Sequence, residues 1–155
     1  MDKATAYRAH PGFVDMIKNM PPDEARIMRL FATATSQALI NIKAIEKASG
    51  GFQITHRHLS LIGIDAGCDH PPLAANYLDN LARLGLIEFP SMRRFKSDEP
   101  YQRIEDHPEV KKILEDLRKL DTHTIEVEKI KLELTDLGKQ FVRACVIDKA
   151  AQERS

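Results

Sequence analysis

The stretch LAANYLDNLARLGLIEF, residues 73–89, decides how this chain is read. Leu73, Tyr77, Leu81 and Leu84 step along one face at helical spacing with Leu78 beside them. Gly85 can end that helix in the left-handed conformation, and Leu86-Ile87-Glu88-Phe89 leaves it as a strand. Just upstream, Leu59 to Ala66 is apolar and helix-compatible, Gly67 closes it, and Pro71-Pro72 opens the next segment, so the pattern is helix, turn, helix, strand.

Working outward, residues 90–106 hold Pro90, Pro100, serines and many charges and read as a loop. Val110, Ile113, Leu114, Leu117 and Leu120 then mark an amphipathic helix from Pro108 to Leu120. Ile130, Leu132 and Leu134 alternate with Lys131 and Glu133, the period-two signature of a half-buried strand that Ile125 to Val127 extends or precedes. Thr135 is placed to cap a last helix whose Leu137, Phe141, Ala144 and Cys145 share a face, and Gly138 inside it implies close packing. At the other end, Phe13, Ile17 and Met20 with Met16 form one helix behind His10-Pro11. Pro21-Pro22-Asp23-Glu24 starts a second, with Ile27, Leu30, Phe31 and Ala34 as its stripe and its acids on the positive first turn. Leu39 to Ile45, Gly50-Gly51 and Phe52-Gln53-Ile54 fit a short hairpin. This order predicts an α+β, winged-helix-like domain over residues 1–150, with additional N-terminal helices and an extra amphipathic helix inserted before the wing strand. Residues 151–155 are expected to form a frayed tail.

The chain's 155 residues suit one ordinary domain. Lys plus Arg and Asp plus Glu both count 23, so no large one-signed field steers it toward nucleic acid or membrane, and any basic surface is local. The longest charge-free stretch, Leu30 to Ile42, is too short and too polar to span a bilayer, and nothing resembles an export signal, which makes the cytoplasm the expected location and a membrane partner unexpected. Cys68 and Cys145 form no disulfide framework.

Several words of the sequence stand out: Met1-Asp2-Lys3, His10-Pro11-Gly12-Phe13, Pro22-Asp23-Glu24-Ala25, Gly67-Cys68, Tyr77-Leu78-Asp79-Asn80-Leu81, Leu84-Gly85-Leu86-Ile87 and Leu134-Thr135 with Gly138-Lys139-Gln140-Phe141. Together they resemble the abortive infection alpha (Abi-alpha) family, a bacterial phage-defence-associated domain of unknown function. The resemblance implies a role in limiting phage growth and supplies no catalytic residues. In similar family members the Met-Asp-Lys segment lies behind a helical N-terminal region, so this chain resembles the C-terminal part of a longer protein or a short member.

The residues bear on three kinds of site. His56, His58, Cys68 and His70 are ligand types for zinc, but each pair is separated by a single residue rather than the commoner two to four, so they are weak candidates and no cofactor is expected. No nucleophile elbow, P-loop, HExxH or dinucleotide fingerprint is present, and no catalytic residue or small-molecule substrate is evident, which argues against an enzyme. For DNA, Asn76, Asn80 and Arg83 on the 72–84 helix and Arg93, Arg94 and Lys96 in a basic wing loop form a possible contact set. That helix, however, carries only Asp79 and Arg83 as charges and gives no net attraction to phosphate. The favoured reading is a non-enzymatic module that binds a protein partner or a second copy of itself, with the nearly charge-balanced helix from Pro108 to Leu120 as a candidate contact surface. A winged-helix DNA-binding protein is the alternative.

Overall fold

In the computed structural model, residues 11–90 and 93–147 are described; the frayed tail expected at 151–155, the Met1-Asp2-Lys3 word and Met92 lie outside them. The elements, in order, are α1 (Pro11–Asn19), α2 (Pro22–Leu30), β1 (Ser36–Glu46), β2 (Phe52–Leu59), α3 (Ile62–Asp65) and a 3-10 turn (Pro71–Leu73) leading into α4 (Ala74–Arg83). Then come β3 (Ile87–Glu88), α5 (Glu99–Glu105), α6 (Pro108–Arg118), β4 (His123–Leu134) and α7 (Asp136–Phe141), which runs on as a π-helix over Val142–Ile147. The class is α+β. The strands lie in the order β2-β1-β4-β3. β2 and β3 run antiparallel to β1 and β4 respectively. β1 and β4 are antiparallel too, because Thr35 meets Leu134 at one end while Lys47 meets Thr122 at the other.

The chain separates into two compact units. Unit 1 comprises residues up to 37, 62–89 and from 132 on; unit 2 comprises 38–61 and 90–131. Unit 1 is mainly helical. Its fully buried side chains include Phe13, Ile27, Met28, Phe31, Leu78, Leu81 and Phe141, and the rings of Phe13 and Phe141 meet edge to face at 5.6 Å. Unit 2 is a curled sheet covered by two helices. Ile40 and Ile42 of β1, Tyr101 and Ile104 of α5, and Val110 and Leu114 of α6 form one buried cluster, with Ile113, Leu117, Ile125 and Val127 packed against it.

Several expectations need correction. Residues 99–105 form a helix, not a loop. Pro100 stands at its start, where a missing N–H costs nothing, Ser97 Oγ accepts from Glu99 N–H at 3.2 Å, and burial of Tyr101 and Ile104 holds the turn down. The segment from Leu59 to Ala66 is helical only over Ile62–Asp65, because β2 continues to Leu59. The expected strand around Ile130 begins at His123 and so includes Ile125 to Val127. Finally, the apolar stripe of α6 is turned into unit 2's own core, so that face is not a contact surface for a partner; Leu120, beyond the helix end, remains exposed.

Candidate functional site

A connected group of titratable side chains in unit 1 grows from Pro22-Asp23-Glu24, the first turn of α2. Acids are favoured there by the helix dipole, and an exposed pair would be the ordinary outcome. Instead Asp23 and Glu24 are 4% and 3% exposed. Burying a carboxylate is costly unless hydrogen bonds replace the lost water, and both are supplied with donors.

Around Asp23 the donors come from the turn that Gly67 makes possible by adopting φ +71. The backbone N–H groups of Asp69 and His70 donate to Oδ1 and Oδ2 at 2.8 and 3.0 Å, the Tyr77 hydroxyl of α4 donates to Oδ2 at 3.1 Å, and Arg26 Nη1 donates to Oδ1 at 2.6 Å. Arg26 also reaches Asp69 Oδ2 at 3.0 Å, and Cys68 Sγ lies 3.6 Å from the Asp23 carbonyl oxygen. Burial alone would raise the Asp23 carboxyl; the bonds from Asp69, His70, Arg26 and Tyr77 outweigh it and hold the pKa down at about 2. Glu24 shifts the other way. Burial raises it, while the Asn80 amide, donating to Oε1 at 2.7 Å, and the charge of Arg83 only partly compensate. Burial and the nearby Asp23 charge likewise push the Cys68 thiol up, away from a reactive thiolate.

A second junction joins the end of α4 to α7. The Thr135 hydroxyl donates to the Gly85 carbonyl at 2.6 Å and accepts from Gly138 N–H at 2.9 Å, while Thr135 N–H donates to the Leu86 carbonyl at 3.1 Å. The expected helix cap is therefore present and also ties α7 back to Gly85-Leu86. The words 22–25, 67–68 and 77–81 thus meet at the first junction, and 84–87 and 134–138 at the second. Reading the residues one stretch at a time missed Asp23, Glu24, Arg26, Asp69 and Tyr77 as a network; the signal was their presence in or beside those words.

The structure places the sequence-predicted residues as follows. Asn76, Asn80 and Arg83 lie on α4 in unit 1: Asn76 is exposed, and Asn80 is half-buried between Glu24 and Arg83, whose guanidinium bonds its side-chain oxygen. Arg93, Arg94 and Lys96 are exposed in unit 2. Arg94 pairs with Asp98, which also takes Lys129 at 3.0 Å, and its guanidinium lies 5.1 Å from the Tyr101 ring centroid. Asn80 is engaged by Glu24, Arg83 by Asn80 and Arg94 by Asp98, and the DNA-binding alternative receives no support. His56 and His58 stand on β2, where Asn41 Oδ1 accepts from His58 N–H at 2.9 Å; Cys68 and His70 belong to the turn around Asp23. The four are not gathered: among the described residues no group of three or more His, Cys, Asp or Glu is placed to hold a metal ion. Nor is any described helix long and apolar enough to cross a membrane.

Among the described residues, every buried side-chain nitrogen or oxygen has a hydrogen-bond partner, and in the Asp23–Glu24 network those bonds join α2 to the 67–70 turn and to α4.

A family model for abortive infection alpha matches residues 1–145. No curated protein matches the chain significantly. Among solved structures, an uncharacterized protein from the hydrocarbon-degrading marine bacterium Alcanivorax borkumensis SK2 is similar at a TM-score of 0.53 and 21% identity, over 91% of this chain and 95% of that one, which is a likeness of fold.

Proposed function

The chain belongs to the abortive infection alpha family, and from that premise we propose that it is a non-enzymatic binding module of a phage-defence protein, built on a winged-helix-like scaffold and acting through protein–protein contacts. The scaffold reading is supported by the order of elements that follows α1 in unit 1: α2, the start of β1, α3, α4, β3, the end of β4 and α7. The non-enzymatic reading is supported by the saturation of the Asp23–Glu24 network.

One observation carries the protein-binding part. β2 is one of the two outer strands of the sheet, and its Phe52 and Ile54 are 62% and 36% exposed. Such an edge offers unpaired backbone groups together with apolar side chains, the combination a partner strand or apolar surface uses. The pairing of β1 with β2 shifts register between Ile40 and Lys43, and His58 adopts φ +54; both twist the strand, which limits indiscriminate edge-to-edge association. Lys43 Nζ sits 3.8 Å above the Phe52 ring, leaving the aromatic ordered and amphipathic rather than buried.

The test is a plaque assay of cells carrying the chain, alongside size-exclusion with light scattering, for the wild type and for Phe52→Lys with Ile54→Lys. We expect protection and any association to be lost in the double variant while its circular dichroism and melting temperature are kept. Unchanged protection would overturn the reading. So would duplex DNA binding that weakens steeply between about 50 and 200 mM salt and disappears when Arg93, Arg94 and Lys96 are replaced.

A further inference from the structure

The hydrogen bonds of the β1–β2 hairpin decide which residues of the outer strand face the open edge. Glu46 N–H donates to the Gly51 carbonyl at 2.8 Å, and beyond that pair Phe52 stands opposite Ile45, Gln53 opposite Ala44 and Ile54 opposite Lys43. In an antiparallel pair, residues that exchange hydrogen bonds alternate with residues that do not. Gln53 therefore turns its backbone groups toward β1, while Phe52 and Ile54 turn theirs to the open side. The same two residues carry exposed apolar side chains. Past Ile54 the register shifts, so the stretch offered to another strand is short.

Charge says what kind of strand fits. The chain as a whole is neutral, yet residues 38–59 carry Lys43, Lys47 and Arg57 against the single acid Glu46. Among the described residues, no carboxylate forms an ion pair with any of these three cations. Lys43 Nζ lies 3.8 Å over the Phe52 ring, a contact that holds an uncompensated charge beside the pairing stretch. A second copy of the chain would bring the same positive excess to the edge and is disfavoured. A nucleic acid matches the charge, but its sugar–phosphate backbone has no N–H groups to exchange with Phe52 and Ile54.

We propose that the β2 edge takes up an extended acidic segment of a partner protein. The segment's backbone pairs with Phe52 and Ile54, its alternate apolar side chains lie against theirs, and acids flanking the apolar pair meet Lys43, Lys47 and Arg57. This inference rests on the reading of the β2 edge as the contact surface and adds the chemistry of what it contacts.

The test is fluorescence anisotropy of the whole chain with a labelled heptapeptide, Glu-Glu-Val-Thr-Val-Glu-Glu. Saturable binding is expected, and Lys43→Gln, Lys47→Gln and Arg57→Gln are each expected to weaken it by up to about fivefold, the reach of an exposed ion pair. Methylating the peptide's backbone nitrogens at one set of alternate residues is expected to abolish binding and at the other set to spare it, because only one set faces β2. The proposal is overturned if the peptide fails to saturate, if both methylated peptides behave alike, if the charge variants bind unchanged, or if a lysine-for-glutamate peptide or a single-stranded pentanucleotide binds as tightly. A failed peptide together with protection that still depends on Phe52 and Ile54 removes the acidic strand and keeps the edge as the contact; protection indifferent to Phe52 and Ile54 removes both.

Discussion

Gly138→Ala is the sharpest test of how unit 1 is assembled. A Cβ built on Gly138 would lie 2.0 Å from the Leu86 carbonyl oxygen and 3.0 Å from Leu134 Cδ2. The obstructing atom is backbone, and it is not idle: the same oxygen accepts the Thr135 N–H at 3.1 Å. Relieving the clash means displacing it by about an ångström. Overpacking of this kind costs about 1–3 kcal/mol, and spoiling the Thr135 bond adds about 1 kcal/mol. Alanine's better helix propensity returns about 1 kcal/mol, so the net loss is about 1–3 kcal/mol. In a chain of this length that lowers the melting temperature by about 2–4 °C per kcal/mol. Two further glycines calibrate the reasoning. At Gly63 the added carbon would meet the Pro71 carbonyl oxygen at 2.8 Å, a milder backbone clash; at Gly51 it would meet only the Ser49 hydroxyl at 3.3 Å. Thermal unfolding followed by circular dichroism should rank the alanine variants Gly51 mildest, Gly63 next and Gly138 most damaging. A Gly138→Ala protein as stable as wild type, or less affected than Gly51→Ala, would refute the close approach on which the junction is built.

The remaining predictions concern the polar groups. Asp23, with its folded pKa at about 2 against an ordinary 3.8, contributes stability that is complete above pH 4 and is lost as pH falls toward 2; acid titration should therefore unfold the wild type more steeply in that window than Asp23→Asn, which should already be weaker at neutral pH. Glu24 has the opposite sign: its folded pKa is raised from 4.5, so its contribution is full below that value and lost as pH rises through the raised one, and Glu24→Gln should melt no lower than wild type at pH 7. In unit 2, the Tyr101 hydroxyl accepts from Phe95 N–H at 2.9 Å and donates to the Ile130 carbonyl at 3.1 Å, and Tyr101→Phe, which orphans both, should cost about 1–3 kcal/mol in urea unfolding.

What the sequence made legible follows from which signals are local. Helix starts and stops announced themselves through Pro11, Pro22, Gly67, Gly85 and Thr135, because capping and left-handed turns depend on the residue at that position alone. β2 was half missed because Thr55-His56-Arg57-His58 belongs to an outer strand, where no buried face imposes alternation. The helix over 99–105 was missed because Tyr101 and Ile104 are the apolar pair of a seven-residue element, too short for periodicity to register, and Pro100 reads as a breaker unless it is known to stand at the start. The site was the least legible part. Nothing in Pro22-Asp23-Glu24 says that both acids are buried, since what buries them, the turn at 67–70 and Tyr77 and Asn80, lies more than forty residues away.

That arrangement bears on how the molecule works. Two neighbouring carboxylates are pushed in opposite directions, Asp23 down and Glu24 up, which in a catalytic site separates a base from an acid. Here the separation has another cause. Asp23 is held by four donors from three segments, and moving any substrate atom into contact with it would require breaking bonds that fix α2 to α4. Those bonds make Asp23 a brace between α2, the 67–70 turn and α4, and they are what lowers its pKa. Glu24, buried with fewer partners, is the cost of bringing Asn80 and Arg83 onto the same helix end. Asp23, Glu24, Tyr77, Asn80 and Thr135, all from the family words, thus take part in holding unit 1 together. On the proposed reading, the surface offered to a partner is the edge of β2, where Phe52 and Ile54 are exposed.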